Sequence, residues 1–525
     1  MPSFFGRTAE GVVSEPLISG KKFGLVFLLL LVAALLPFGL CSPLPLGDYT
    51  NHLARIHIIT NLDASPDLAR YYAVEWAVIP NLASDILVPW LAHLGSWSVE
   101  SVLTGFAAVA LALLASGAVV LNRVLYGRWS YFALTVFLLL FNRHFLWGFL
   151  NYIFTLGVML WLLAAWLYCR ERYGWPVRLL FAVPTTLLFF GHLFPLGVYG
   201  VCVMGYEARK ALSQRGQRFF LRQALLDVFV AGVQYLPALV LLLRFSPTAG
   251  RAGDIAPSNI SDKLAGLFHP FNNYSTVLDV GTWLLIFGLF FYGLVRKTFR
   301  IHPGLLFGLL TLTLIYCVMP NGMFASGGAD RRLMAAVFIL FAAALGDWSL
   351  SAIRRRQLLL LLLALFVVRM GVVSWNWHRA DDIYARYIKG MDVVEEGSRV
   401  AYLMTGPSSP WLQNPPLDHL GNLIVVRRNV FINGLFAEHG QQVVHLKYNL
   451  DTPFYKFPSN TYRLNSEKER AGVPKLLPLD RFDFVYVIGA RNFTADWPER
   501  LQSVWRDDEV DATLFRVGPA HSDKQ

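Results

Sequence analysis

The sequence predicts a polytopic α-helical membrane protein of about eleven transmembrane helices, followed by a C-terminal extracytoplasmic α/β domain. Three observations lead to this fold class. Hydrophobic residues make up 55% of the 525 residues, charged residues make up 15%, and the mean hydropathy is +0.46. The apolar residues form long runs that are separated by short basic loops. After residue 375 this pattern gives way to short strand-like runs and turns.

The N-terminal part is predicted to be a cytoplasmic tail, residues 1–21, followed by a transmembrane domain, residues 22–375. The apolar run from Phe23 to Leu40 is long and lacks a small-residue cleavage motif, so we expect it to remain as the first span. The segments 130–142 and 177–191 are short and are expected to be broken or re-entrant. The eleven predicted spans lie near residues 22–41, 101–121, 130–142, 145–169, 177–191, 194–208, 222–244, 275–295, 304–319, 332–350 and 357–375.

The basic residues predict the orientation of these spans. Arginine and lysine cluster in every second loop, which is typical of cytoplasmic loops. The N-terminus is therefore expected inside and, with an odd number of spans, the C-terminal domain outside. This indicates a multi-pass protein of the bacterial cytoplasmic (inner) membrane. Because the net charge of +11 comes largely from these loops, it does not indicate a nucleic-acid partner.

The long loop 42–100 is too polar to be a span, yet it is rich in aromatic residues, which favour the headgroup region. We expect two or three interfacial helices that lie flat on the outer membrane face and cover a cavity at the span ends. The prolines at 66, 80 and 89 are expected to set breaks or bends. The aromatic residues are Tyr71, Tyr72, Trp76, Trp90 and Trp97.

The C-terminal segment, residues 376–525, is predicted to be one α/β domain of ordinary size. Its strand-like runs are Arg399–Met404, Leu423–Val426, Phe482–Ile488 and a last one near Thr513–Val517, separated by turn-rich segments such as Thr405–Pro410 and Asn414–Pro416. Its histidines His439 and His445 lack metal-ligand spacing, and the four cysteines lie in or beside apolar segments. No metal ligand is assigned, and no Walker A sequence or GxSxG motif is present.

The stretch Leu46–His57 follows directly on the first span, so it emerges where the chain leaves the membrane. On a helix, Asp48, His52 and Arg55 fall at i, i+4 and i+7 and share one face. Such a face suits chemistry at the membrane surface. Two simpler interpretations stay open: Gly-Asp before an apolar-periodic run is a normal helix start, and His52 and Arg55 are suitable interfacial anchors.

Other ionisable residues lie at the outer ends of spans, where isolated charges are costly and often functional. Arg143, His192, Arg331 and Arg332 are therefore candidate substrate-binding residues together with His52 and Arg55. The alternative for each is snorkelling, in which a long side chain reaches water or headgroups without any ligand. The glycine-rich, acid-containing context of residues 326–330 favours a phosphate contact for the two adjacent arginines.

An N-in first span, a long outer loop that opens with an acid, about eleven spans and an outer C-terminal domain resemble the GT-C class of membrane glycosyltransferases. This class includes polyprenyl-phosphate-sugar-dependent mannosyl- and aminoarabinosyltransferases. The resemblance implies that Asp48, in Gly47-Asp48, is the acidic residue of the first outer loop that serves catalysis. Several members of the class have an Asp-Glu pair at this place, whereas Tyr49 follows Asp48 here. The resemblance therefore assigns neither a second catalytic acid nor a metal site to this sequence. Whether a divalent cation is a cofactor stays open. Asp63, Asp67, Glu75 and Asp85 are alternatives for the second acid.

The resemblance and the residues together predict an inverting transferase that moves a sugar from a polyprenyl-phosphate carrier to a lipid or glycan acceptor on the outer face, among membrane lipids. Asp48 would be the general base, and a cation such as Arg331 or Arg332 would stabilise the leaving phosphate. The alternative is a non-catalytic transporter, flippase or assembly subunit of an envelope-polysaccharide system. A transporter usually shows polar groups at mid-membrane and inverted repeats, and here Gln234 and Arg369 are exceptions in otherwise apolar span centres.

Overall fold

The computed structural model describes residues 19–215, 220–251, 255–323, 327–347, 350–405, 416–437, 440–447, 462–464, 477–492 and 498–519. The predicted cytoplasmic tail and the turn-rich segments 405–410 and 414–416 lie almost entirely outside these residues.

The N-terminal three quarters of the chain are helical, as the apolar runs predict. Within the described residues, five helices are long and apolar enough to cross a membrane, or six if one bent pair counts as a single span. The α-helices are α1 Gly20–Leu35, α2 Tyr49–Asn61, α3 Pro66–Tyr71, α4 Ala83–Gly95, α5 Val99–Tyr126, α6 Arg143–Leu146, α7 Leu150–Arg170, α8 Trp175–Leu179, α9 Ala182–Gly191, α10 Leu193–Ser213, α11 Phe220–Val233, α12 Leu236–Val240, α13 Ile260–Gly266, α14 Thr276–Val295, α15 Pro303–Val318, α16 Ala329–Ala344, α17 Ala352–Met391 and α18 Leu423–Arg428.

The polytopic helical architecture is confirmed, while the count of eleven spans stays a prediction. The segment predicted at 130–142 is a 3₁₀ helix, Tyr131–Leu139, and the one at 177–191 is divided between α8 and α9. The segment at 222–244 is bent by 51° between α11 and the helical stretch that begins with α12. Proline at position 237, the second residue of α12, removes a backbone donor at this break.

The outer loop 42–100 contains three helices, α2, α3 and α4, as expected. Trp76, Trp90 and Trp97 are exposed, whereas the expectation that Tyr71 lies on the membrane surface is wrong. Tyr71 and Tyr72 are buried because their hydroxyls donate to the carbonyl oxygens of Gly397 and Val430 in the C-terminal domain, at 2.7 and 3.1 Å. These tyrosines therefore attach the loop to that domain.

The C-terminal part is a sheet-containing domain, as predicted. Its strands run in the order β5-β4-β8-β10-β9, with β7 also beside β4; β4 is parallel to β5, β7 and β8, and β10 is antiparallel to β8 and β9. Separate two-stranded sheets join β1 to β6 and β2 to β3. The strands are β1 Tyr72–Val74, β2 Phe299–Ile301, β3 Leu345–Asp347, β4 Arg399–Thr405, β5 Phe431–Ile432, β6 Val444–Leu446, β7 Tyr462–Leu464, β8 Phe484–Ile488, β9 Leu501–Asp507 and β10 Ala512–Val517.

One expectation about this domain is corrected, and its predicted start is not marked by a break in the helix. The run Leu423–Val426 is not a strand but lies in α18, which ends at Asn429 in the left-handed conformation. Four apolar residues carry no periodicity that distinguishes a strand from a buried helical turn. The boundary expected at residue 376 falls inside α17, whose 40 residues continue from the apolar run into the domain.

Close helix contacts and internal pairing of polar groups hold the helical part together. A side chain at Gly157 would lie 2.7 Å from the backbone nitrogen of Leu114, so glycine is needed where α5 and α7 touch. Arg369 of α17 pairs with Asp279 of α14 at 2.9 Å, and both are buried. The side-chain oxygen of Gln234 accepts from the hydroxyls of Thr185 and Tyr199.

Candidate functional site

A polar cavity of about 610 Å³ lies where the start of α2, the segment 147–152, the start of α16 and the C-terminal domain meet. It collects six of the seven residues that the sequence singled out: Asp48, His52, Arg55, His192, Arg331 and Arg332. Its other lining residues are Gly47, Asn51, Asn81, Trp147, Phe149, Leu150, Asn151, Tyr152, Asn321, Gly327, Gly328, Asp418, His419, Phe436, Gln441 and Gln442.

Asp48 occupies the position before the first residue of α2, yet its side chain makes no capping hydrogen bond to the described helix. Its backbone nitrogen donates to the carbonyl oxygen of Trp147 at 2.8 Å, which fixes the backbone. Gly148 has a φ of +85°, and a Cβ there would lie 2.6 Å from the Asp48 nitrogen, so only glycine allows this approach. The carboxylate is thus left facing the cavity, with 32% of its side-chain surface exposed.

His52 and Arg55 are held in a buried hydrogen-bonded chain behind Asp48. The Arg55 guanidinium contacts both carboxylate oxygens of Asp85 at 2.9 to 3.1 Å and donates from Nη2 to His52 Nδ1 at 2.8 Å. Because arginine only donates, His52 Nδ1 accepts and its Nε2–H donates to the carbonyl oxygen of Gly148 at 3.2 Å. Burial, and then the charge of Arg55, lower the pKa of His52 well below its ordinary value, so this histidine is neutral.

The two adjacent arginines at the start of α16 have different surroundings. Arg331 forms an ion pair with Asp262 at 2.6 Å and keeps 20% of its side-chain surface exposed. Arg332 is more deeply buried, and its guanidinium lies over the rings of Phe149 and Phe194, at 4.3 and 5.7 Å from their centroids. Both side chains line the cavity, and the charge of Arg332 interacts with Asp48.

The remaining predicted residues divide between lining and support. His192 lines the cavity, and its Nδ1 accepts from the backbone nitrogen of Phe194 at 3.2 Å. Arg143 lies behind the cavity instead: it is 5% exposed, and its guanidinium stacks over Trp147 at 4.5 Å. A direct substrate contact by Arg143 therefore requires Trp147 to move.

The C-terminal domain contributes residues that the sequence analysis did not find. His419 Nε2 lies 3.4 Å from the Asp48 carboxylate, and Asp418 lines the same cavity. No local motif connects these positions to Asp48, since they are joined only by the docking of the domain on α2. Of the four proposed second acids, Asp85 lies behind the cavity in its pair with Arg55 and is unsuitable for a base in this geometry.

The surroundings of Asp48 change the pKa of its carboxyl group. Burial raises the pKa of Asp48 above its ordinary value, while the nearby side chains of His419, Arg332 and Arg55 oppose that rise. Such a carboxylate is a stronger base than an exposed aspartate. Among the residues that the structure describes, no three His, Cys, Asp or Glu side chains form a group that could hold a metal ion. The dependence on a divalent cation remains a prediction to test.

The membrane helices, the outer loop and the sheet-containing C-terminal domain together form a GT-C-like fold. ArnT from Cupriavidus metallidurans, in a structure bound to undecaprenyl phosphate, aligns with 95% of this chain and all of its own, at a TM-score of 0.52 and 11% identity. Its apo form gives a TM-score of 0.49 at 12% identity, covering 95% of this chain and 98% of its own. The arabinofuranosyltransferase AftD from Mycobacteria gives 0.45 at 13%, covering 96% of this chain and 40% of its own. No family model and no curated protein matches the sequence.

Proposed function

We propose that this protein is an integral-membrane glycosyltransferase that transfers a sugar from a polyprenyl-phosphate carrier to an acceptor at the outer face of the bacterial cytoplasmic membrane. The observation that carries this proposal is the arrangement of α16. Its first turn places Arg331 and Arg332 in the polar cavity with Asp48, and its later turns line an apolar cavity. One helix thus borders both a site for an anion and a site for a hydrocarbon chain.

The apolar cavity has a volume of about 290 Å³ and lies between α14, α16, α17 and the 3₁₀ helix Tyr131–Leu139. On α16 it is lined by Met334, Val337, Phe338, Phe341 and Ala342, which recur every three or four residues and so share one face. Arg331, three residues before Met334, extends the same row. An amphiphile with an anionic head and an apolar tail matches this polarity gradient.

The GT-C-like fold supports the same substrate class. The ArnT structure with a TM-score of 0.52 was determined with undecaprenyl phosphate bound, which is a polyprenyl phosphate. We assign a polyprenyl phosphate to this chain because of its polar and apolar cavities, and not because of the sequence identity, which is low. The orientation with the N-terminus inside and the cavity outside rests on the distribution of basic loops.

The proposed chemistry needs one base and one cationic site. The acceptor hydroxyl gives its proton to the Asp48 carboxylate as its oxygen attacks the anomeric carbon. The bond from that carbon to the phosphate oxygen breaks, and the phosphate leaves with the electron pair without needing a proton. Arg331 and Arg332 stabilise the negative charge on this leaving group. A single displacement of this kind inverts the anomeric centre.

The alternative of a transporter has less support from the span interiors. Arg369 is engaged by Asp279, by Thr282 and by the carbonyl oxygen of Phe271, at 2.6 to 3.3 Å. Gln234 is likewise held by neighbouring side chains and donates to a backbone carbonyl. Polar groups that are engaged by neighbouring helices stabilise helix contacts, whereas a transport path needs groups that are available to a ligand.

The test is transfer from a defined donor by the purified full-length chain in lipid nanodiscs. Labelled polyprenyl-monophosphate sugars, polyprenyl-pyrophosphate sugars and nucleotide sugars are offered separately with a mixed lipid and glycan acceptor fraction. The proposal expects transfer from a monophosphate donor and none from a nucleotide sugar. Binding of polyprenyl monophosphate should weaken in Arg332→Gln and persist in the matched control Arg427→Gln, which changes an exposed arginine paired with Asp392. Carrier binding that is equal in both variants would contradict the assigned phosphate site.

A further inference from the structure

We propose that His419 of the C-terminal domain is a positioning residue for Asp48, so the transfer site is complete only when that domain is docked on α2. This inference rests on the proposed function, because it names a residue that acts on the same site. It assigns a role to the domain itself, which contributes a side chain to the reaction centre in addition to covering it.

The contact between His419 and Asp48 is fixed from the backbone. The Thr50 hydroxyl, two residues after Asp48, donates to the carbonyl oxygen of His419 at 2.6 Å. This bond ties the backbone of His419 to α2, and the Nε2 of its ring lies 3.4 Å from Asp48 Oδ1. Contacts between catalytic groups are often this long without substrate and tighten when substrate binds.

The other ring nitrogen indicates which group donates. His419 Nδ1 is buried and has no hydrogen-bond partner among the described residues. A bare acceptor nitrogen is less costly to bury there than an unsatisfied N–H, so the hydrogen belongs on Nε2 and points to the carboxylate. His419 then donates to Oδ1 of Asp48, and Oδ2 is left to take the proton of the acceptor hydroxyl.

Buried hydrogen bonds hold the domain in this place. Asn51 Oδ1 accepts from Asn422 Nδ2 at 3.2 Å and from the backbone nitrogen of Phe436 at 2.9 Å. Asn51 and Asn422 are 4% and 1% exposed. The residue next to Thr50 on α2 therefore joins two segments of the C-terminal domain, one of which carries His419. Arg55 is unsuitable for the positioning role because Asp85 engages it.

The test compares His419→Ala, His419→Gln and the control His445→Ala in full-length protein in nanodiscs. A glutamine amide can replace the Nε2 donor, whereas alanine cannot. His445 lies in β6, which joins the domain to the outer loop, but outside the cavity, with its Nε2 4.0 Å from Glu75. We expect kcat to fall about 10-fold or more in His419→Ala at a nearly unchanged donor KM, to recover partly in His419→Gln, and to stay near the parental value in His445→Ala.

The outcomes separate this inference from the proposed function. If the parent transfers sugar and Asp48→Asn does not, a parental kcat in His419→Ala overturns the positioning role alone. Equal loss in His419→Ala and His419→Gln with a raised KM would also overturn it, since that pattern indicates a purely structural part. If the parent transfers no sugar, the proposed function fails. The pairing is then tested by thermal unfolding of Asp48→Asn, His419→Ala and the double variant, and additive losses would refute it.

Discussion

Removing the carboxylate of Asp85 is predicted to destabilise the protein and to disturb the site without touching the substrate. Asp85→Ala leaves the Arg55 guanidinium without its ion-pair partner, and the side chains of the two residues are 1% and 0% exposed. Three contacts of 2.9 to 3.1 Å are lost, and no other side chain in the described residues replaces the carboxylate as an ion-pair partner of Arg55. The remaining bond from Arg55 to His52 cannot compensate a buried charge.

The expected magnitude follows from this burial. Breaking a buried ion pair by removing one partner costs about 3–5 kcal/mol, because the other charge stays buried and unpaired. Arg55→Leu should cost a similar amount, since it leaves the Asp85 carboxylate alone. The double variant Arg55→Leu/Asp85→Ala should be closer to the parent than either single variant, because no uncompensated charge remains.

The measurement is unfolding of the four proteins in the same detergent, by heat and by denaturant, with sugar transfer measured in parallel. Glu509→Ala is the control, since it removes a carboxylate that is 72% exposed and paired with Arg386 on the surface. The reasoning is refuted if Asp85→Ala unfolds like the parent, or if the double variant is as unstable as the sum of the two single variants.

Three further predictions test other parts of the account. Because Asp48 must be ionised to act as a base, the rate of sugar transfer should fall as the pH drops through the raised pKa of Asp48. Arg332→Gln removes a positive charge that opposes the rise of this pKa, so the fall in rate should move to higher pH. The pH–rate profiles of the parent and Arg332→Gln check this prediction, and an unmoved profile would contradict it. Arg369→Leu should destabilise by about 3–5 kcal/mol, since it leaves Asp279 without its cationic partner. Carrier binding should survive in the folded fraction, because neither side chain lines the polar or the apolar cavity. Unfolding with a parallel binding assay decides this, and an unchanged stability would count against it. A cysteine at position 509, introduced with Cys317→Ser, should react with an impermeant maleimide from outside intact cells; labelling only after lysis would reverse the predicted topology.

The helical part could be predicted because its signal is long and local. A run such as Phe23–Leu40 is too apolar and too long for a soluble helix or a strand, so α1 is predicted from one continuous stretch of sequence. Short runs do not carry that information. Leu423–Val426 was expected as a strand and lies in a helix, because four apolar residues fit either conformation.

The candidate site was predictable only where it belongs to one helix or one span end. The spacing of Asp48, His52 and Arg55 predicted a shared face, and all three line the cavity. The partner of Arg55 was not predictable, because Asp85 lies on α4 and meets it only after folding. His419 is the extreme case, since it reaches Asp48 through a domain contact that leaves no local pattern in the sequence.

The burial of Tyr71 shows the same limit from the opposite direction. An aromatic residue in a polar outer loop is typical of a membrane interface, and Trp76 and Trp90 are indeed exposed. Tyr71 instead donates its hydroxyl to Gly397 across the domain contact. Local composition predicts which environment a side chain prefers. The surface that it finally contacts is formed by distant parts of the chain, so local composition does not predict it.

The central claim is that Asp48 is the base of a sugar transfer, and the most direct measurement is transfer by Asp48→Asn. The change is nearly isosteric. The Asp48 side chain makes no capping hydrogen bond to α2, so the change removes no such bond and should leave the stability of α2 intact. The account predicts a loss of kcat of about 10²-fold or more, with the melting temperature and the binding of polyprenyl phosphate close to parental. Transfer by Asp48→Asn at the parental rate would contradict the account. A parent that binds the carrier yet transfers from no donor would favour the non-catalytic alternative.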